Sequence, residues 1–135
     1  MYSIDIENMY PTIPTNDNAI KVITKYLAVN KNNLDLFGFK IHHIIRLLKF
    51  LLNNIYFNYN DTFYIQHAGL GTGYHSSEAY AEIIVDHTYK EAIKKYNIQS
   101  NTHFQGLTTY VDEAWVLWLE SKDHFTNFLK NLNSI

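Results

Sequence analysis

Two carboxylates stand side by side in the tetrapeptide Tyr110-Val111-Asp112-Glu113, between apolar runs that read as strands. A third, Asp5, sits inside a short alternating run, Tyr2-Ser3-Ile4-Asp5-Ile6. Charge among buried strands is costly unless it is solvated or paired with a cation. Acids at a tight turn on a sheet edge suit Mg²⁺, which takes hard oxygen ligands. If the two strands are neighbours, Asp5 and Asp112 face one another and can hold two divalent ions for an in-line phosphoryl transfer. Taken singly, each acid has a plainer reading as a solvated turn or surface residue, so order and spacing along the chain must decide.

The elements that must position these acids follow from periodicity. Residues 2–6 alternate as a strand, ended by Pro11 and Pro14. Thr15 or Asn16 caps a helix running to about Val29, with Ala19, Ile20, Ile23, Tyr26 and Leu27 on one face. After an Asn-rich loop and Gly38, the residues Ile41, Ile44, Ile45, Leu48, Leu51, Leu52 and Ile55 keep helical spacing. Tyr56 to Tyr59 and Thr62 to Gln66 flank Asn60-Asp61 as a hairpin. A loop with Gly69, Gly71 and Gly73 leads into a helix from His75 or Ser76 to about Tyr96, its apolar face formed by Tyr80, Ile83, Ile84 and His87. Leu107 to Val111 and Ala114 to Leu119 read as two strands around Asp112-Glu113, and a last helix spans about Lys122 to Leu132. No repeat, low-complexity tract or linker interrupts this order, so residues 1–135 read as one domain of α+β class.

Composition narrows the chemistry. The absence of Cys excludes disulfides and thiolate metal sites. A hydrophobic fraction of 47% with 18% charged residues fits a globular domain able to bury a core. A net charge of −2 argues against a self-sufficient nucleic-acid binder, which carries an excess of Lys and Arg. No apolar run has the length of a membrane span and no signal segment opens the chain. The expectation is an intracellular protein, nuclear or cytoplasmic, that is neither secreted nor membrane-bound.

Other residues invite metal or phosphate readings and carry less. His42 and His43 are adjacent on a helix and cannot turn toward one ion. His75, Glu78 and Glu82 share a helical face but lack the paired Glu-x-x-His of di-iron bundles, so a solvated acidic face is the better reading. Gly69, Gly71 and Gly73 are not followed by the Lys of a phosphate-binding loop. Trp115 and Trp118, three apart in a strand, point to opposite faces, one of them into the core.

In their order, the motifs resemble a reverse transcriptase of the kind found in Penelope-like retroelements. Ser3-Ile4-Asp5-Ile6-Glu7-Asn8-Met9-Tyr10-Pro11-Thr12-Ile13-Pro14 looks like motif A, Tyr64-Ile65-Gln66 with Gly69 through Ile83 like motif B, and Thr109-Tyr110-Val111-Asp112-Glu113 like motif C. Phe125 to Ile135, with Leu132-Asn133-Ser134-Ile135, is similar to the helix after motif C. The resemblance implies a polymerase palm: a small antiparallel sheet, ferredoxin- or RRM-like, backed by helices. It implies RNA-directed DNA synthesis from deoxynucleoside triphosphates on a primed RNA or DNA template. Two Mg²⁺ ions, or Mn²⁺, would be held by Asp5, the backbone carbonyl of Ile6, Asp112 and Glu113. It also implies that Tyr10 lies under the sugar and disfavours a 2′-hydroxyl, and that Thr72 and Gly73 lie beside the nucleotide and template, with Ser77 and Ala81 as small positions of the next helix. Fingers and thumb are expected elsewhere in a longer polypeptide, and an excess of basic residues with them.

Two positions depart from the family pattern. The second acid of motif C is Glu113 rather than Asp, one methylene longer than near-octahedral Mg²⁺ coordination favours. The motif B run reads Thr72-Gly73-Tyr74-His75, with bulky residues on the template side and Thr72 where a Gln or Met is usual. Both point toward impaired catalysis. The alternative they support is a degenerate retroelement remnant that acts at most as a nucleic-acid or protein interaction module. A metal-dependent nuclease would use the same acids, but gives no reason for Tyr10 or the motif B loop.

Overall fold

A computed structural model describes residues 1–100 and 106–133, the side chains of 98–100 excepted. Along the chain it places β1 (Tyr2–Asp5), α1 (Met9–Thr12), α2 (Asp17–Val29), α3 (Ile41–Leu52), β2 (Tyr56–Tyr59), β3 (Thr62–Ile65), α4 (His75–Ser100), β4 (Gly106–Tyr110), β5 (Glu113–Leu117) and α5 (Lys122–Leu132). The class is α+β, with small antiparallel sheets and helices, as the periodicities predict. No helix among the described residues is long and apolar enough to cross a membrane. Ser134 and Ile135, the end of the segment likened to the helix after motif C, lie outside the described residues.

The chain divides into two compact units: residues 1–7 with 85–135, and residues 8–84. The first holds an antiparallel sheet ordered β1-β5-β4. Strand β1 alternates, with Tyr2 and Ile4 partly buried and Ser3 and Asp5 exposed. Strand β5 alternates in step, with Ala114 and Val116 fully buried. Because side chains along a strand take opposite faces in turn, this puts the apolar set on one face and the acids on the other. The buried face meets α4 and α5 in an aromatic cluster of Ala92, Tyr96, Val116, Trp118, Phe125 and Phe128. Tyr96 and Trp118 lie 5.1 Å apart between centroids, and Tyr2 stacks on Phe125 at 4.0 Å. Trp118 is thus the core tryptophan, while Trp115 stays partly exposed. Helix α5 begins where Ser121 accepts a hydrogen bond from the His124 N–H, 3.4 Å away.

The second unit contains the α1–α3 segment, the β2–β3 hairpin and the start of α4. Asn16 caps α2, its side-chain oxygen accepting from the Asn18 and Ala19 N–H groups at 3.0 Å each. Helix α3 has the predicted periodicity, yet none of its residues is fully buried, and Phe50 is 64% exposed. The β2–β3 turn is Asn60-Asp61, both residues at positive φ (48° and 57°), the conformation a two-residue hairpin of type I′ requires.

Two local expectations are corrected. The segment after β1 is not simply ended by its prolines: Met9–Thr12 forms a helical turn. Pro11 is tolerated there because amides in a first helical turn have no intrahelical partner to lose. The β4–β5 turn is Val111-Asp112 rather than Asp112-Glu113, since Tyr110 pairs with Glu113, which opens β5.

A candidate carboxylate site

The carboxylates meet because β1 and β5 are antiparallel neighbours. Their register pairs Ile4 with Ala114 and Asp5 with Glu113. One step beyond, the Ile6 N–H donates to the Asp112 carbonyl at 3.0 Å. That bond continues the ladder past β1 and ties the turn to the residue after Asp5. Asp5, Ile6, Asp112 and Glu113 therefore share one end of the sheet.

Pairing fixes more than proximity. Directly opposed residues of an antiparallel pair project on the same face, with Cβ atoms about 4.5–5.5 Å apart. Glu113, rather than Asp112, is the acid squarely opposite Asp5, and two like charges so placed repel. Asp5, Asp112 and Glu113 are all exposed, and no Lys, Arg or His among the described residues forms an ion pair with any of them. Asp112 occupies the turn beside Val111, whose φ of 54° lies in the left-handed region. A β-branched residue there is a steric outlier, in a position glycine usually takes, so the turn carrying Asp112 is held against local preference.

On α4, the Tyr89 hydroxyl is buried without a hydrogen-bond partner. Burial pushes its pKa up, and the negative charge of Asp5 adds to that shift. Reading the sequence did not single out Tyr89. One of eleven tyrosines, it carries no motif, and only its position on the buried side of α4 distinguishes it.

The remaining predicted residues fall in the other unit and gather around a second contact. Tyr10 lies in α1, and its carbonyl accepts from the Leu70 N–H at 2.7 Å. Gly69, at φ +72°, passes so close to Pro11 that a Cβ would stand 2.7 Å from the proline Cα. The Gln66 side chain donates to the carbonyls of Ala68 and Leu70 at 2.8 and 3.1 Å, and Ser77 Oγ donates to the Gly71 carbonyl at 2.8 Å. Tyr80 reaches back to the Pro14 carbonyl at 3.0 Å. The segment bearing Tyr10 and the loop leading to Thr72 and Gly73 are thus locked together. Thr72 and Gly73 are exposed, and Gly73 adopts φ +89° with open space where a Cβ would stand. Ser77 and Ala81 are buried, in keeping with their small size.

The donor chemistry suits divalent cations. Three exposed carboxylates and a backbone carbonyl are hard oxygen ligands, and Mg²⁺ commonly takes one or two protein carboxylates and completes its shell with water and phosphate. Among the described residues, no three of His, Asp and Glu form a ready-made metal cluster, and His75, Glu78 and Glu82 are exposed. No family model, curated protein or solved structure matches this chain.

Proposed function

We propose that the chain is the palm of an RNA-directed DNA polymerase, with Asp5 and Asp112 as its metal-binding carboxylates. The observation that carries this reading is the register: Asp5 is paired with Glu113, and Ile6 with the Asp112 carbonyl, at one end of an antiparallel sheet. Unneutralised acids collected on one face leave a charge that a divalent cation would relieve. Asp5, the Ile6 carbonyl and Asp112 would hold the ions, with Glu113 as an outer ligand. Two Mg²⁺ ions, or Mn²⁺ in their place, would lower the pKa of a primer 3′-hydroxyl and steady the triphosphate. The Tyr10 ring would lie under the nucleotide sugar and crowd a 2′-hydroxyl. Thr72 and Gly73 would border the nucleotide and template. The partners are a primed RNA or DNA template, deoxynucleoside triphosphates, and fingers and thumb segments of a longer polypeptide.

Primer extension on an RNA template tests this, with the chain grafted into a reverse transcriptase that supplies fingers and thumb. Asp112→Ala should abolish extension, and equal extension by both forms would sink the assignment. A second reading, a catalytically degenerate remnant acting as an interaction module, is favoured by the longer Glu113 side chain directly opposite Asp5. Mg²⁺ binding that ignores both Asp5 and Asp112 would select it.

A further inference from the structure

Charge is spread unevenly along the chain. Between Asn18 and Asn60 stand six of its eleven Lys and Arg residues (Lys21, Lys25, Lys31, Lys40, Arg46 and Lys49) against the single acid Asp35, and the other twelve acids lie outside that stretch. Helices α2 and α3 make up much of it and pack on each other. Lys49 of α3 marks their seam with an ion pair to Asp17 of α2 at 2.8 Å. Lys21 and Lys25 follow Asp17 at four-residue steps, so they continue its face of α2. Arg46 and His42 precede Lys49 at a three- and then a four-residue step, so they continue its face of α3. Two exposed basic rows thus start from one seam. Arg46, the chain's single arginine, joins no ion pair among the described residues.

Rings stand among these cations. Phe50 lies four residues beyond Arg46 and His43 three before it, so both border the guanidinium on the helix surface. Phe39 meets the His43 ring edge-on at 6.5 Å, and His42 meets His43 at 4.0 Å. Phe39 is 52% exposed and Phe50 64%. Exposed rings grouped among polar residues mark an interaction surface rather than a solvated face. A bilayer would take the aliphatic stripe of such a helix, but Leu48 and Leu52 are turned to a pocket that they line with Ile55, Leu70 and Tyr80. The side left open pairs positive charge with flat rings. A single strand of nucleic acid fits that pairing, with phosphates against the cations and bases stacked on the rings.

We propose that this face of α2 and α3 binds single-stranded nucleic acid, with Lys21, Lys25 and Arg46 on phosphates and Phe39 and Phe50 under bases. The contact uses none of the residues read as polymerase machinery, needs no metal ion, and stands whether or not the carboxylate site is catalytic.

Fluorescence anisotropy of labelled dT and U oligonucleotides of about 12 nucleotides, titrated with the full chain in EDTA over a range of NaCl, tests this. Each cation seated on a phosphate steepens the fall of log affinity with log salt by about 0.7. The double variant Lys25→Gln, Arg46→Gln should therefore flatten that slope by about 1.4. The double variant Lys94→Gln, Lys122→Gln makes the same change of net charge at exposed sites outside the face and should leave the slope as it is. Phe50→Ala should weaken binding about tenfold at an unchanged slope, and Phe50→Tyr, which keeps a ring, should bind as the natural chain does. Circular dichroism verifies each fold. Equal flattening by the two charge variants would show a response to net charge alone and overturn the proposal. So would binding indifferent to Phe50, displacement by polyglutamate as ready as by unlabelled strand at equal charge, or no oligonucleotide binding at all. Arg46-dependent binding to phosphatidylserine vesicles without binding to either oligonucleotide would assign the face to a membrane instead.

Discussion

Two aromatic regions of the molecule use the same residue types to opposite ends. Around the β1-β5-β4 sheet, Tyr96, Trp118, Phe125 and Phe128 interlock, and Phe128 is completely buried. In the β2–β3 hairpin, Tyr56, Phe57, Tyr59, Phe63, Tyr64 and Ile65 all remain exposed, Phe63 at 76%. Phe57 and Tyr64 stack at 5.4 Å across the strands, yet each stays about half exposed. An isolated two-stranded hairpin has no second layer against which to bury a face, whereas a sheet backed by two helices does. Aromatic content alone therefore does not say where a core lies; the number of layers does.

Truncation should separate the two regions most sharply. Phe128→Ala removes a ring with no exposure and leaves a cavity among Tyr96, Trp118 and Phe125. It should cost about 3–5 kcal/mol in denaturant unfolding. Phe63→Ala should cost only a few tenths of a kcal/mol, as exposed substitutions do. Similar losses for the two would mean that the hairpin is covered in solution and that the two regions do not differ in burial.

How much could be read beforehand divides along the same line. The spacing from Ile41 to Leu52 defines α3 because periodicity is a local property, and Asn60-Asp61 marks its hairpin because the side chains themselves tolerate left-handed backbone. The exposure of α3 is not legible, since the same apolar stripe would be written for a buried helix. At the candidate site, the pairing of the Asp5 strand with the strand after Asp112 entered only as a condition, whereas the alternation around Asp5 was visible. The register that sets Glu113 opposite Asp5 was not, because the expected turn put both acids at its tip. What displaced it is Val111, which takes the turn position in a conformation its own side chain disfavours. The Tyr89 hydroxyl was invisible for a different reason: burial without a partner is a property of the assembled core.

The two hairpins sharpen the comparison at the level of the turn. Asn60-Asp61 suits its positive φ values, while Val111 at φ 54° does not. Val111→Gly should stabilise the chain by about 1–2 kcal/mol, the cost of a left-handed non-glycine residue. Asn60→Gly should change stability little, since Asn tolerates this conformation. Thermal melts of both variants compare them directly. No gain from Val111→Gly would mean that the Ile6–Asp112 hydrogen bond and the neighbouring pairs, rather than the turn residue, set the conformation at no cost.

The smallest effect concerns Tyr80, which contrasts with the exposed tyrosines of the hairpin in having both burial and a partner. Its hydroxyl donates to the Pro14 carbonyl at 3.0 Å, and burial pushes its pKa up to about 12. An unfolded tyrosine ionises near 10. Because the folded value is the higher one, the unfolded chain gives up this proton first as pH rises. The stability linked to the neutral phenol is complete below pH 10 and is lost between 10 and about 12. At neutral pH, Tyr80→Phe should cost about 1 kcal/mol, the net worth of one hydrogen bond. Above pH 10 the variant should lose less stability with each rise in pH than the natural chain, so the two unfolding curves should converge. Curves that stay parallel to pH 12 would show that the Tyr80 phenol ionises as readily folded as unfolded. The bond to Pro14, which ties the Tyr10 segment to α4, would then be open to solvent.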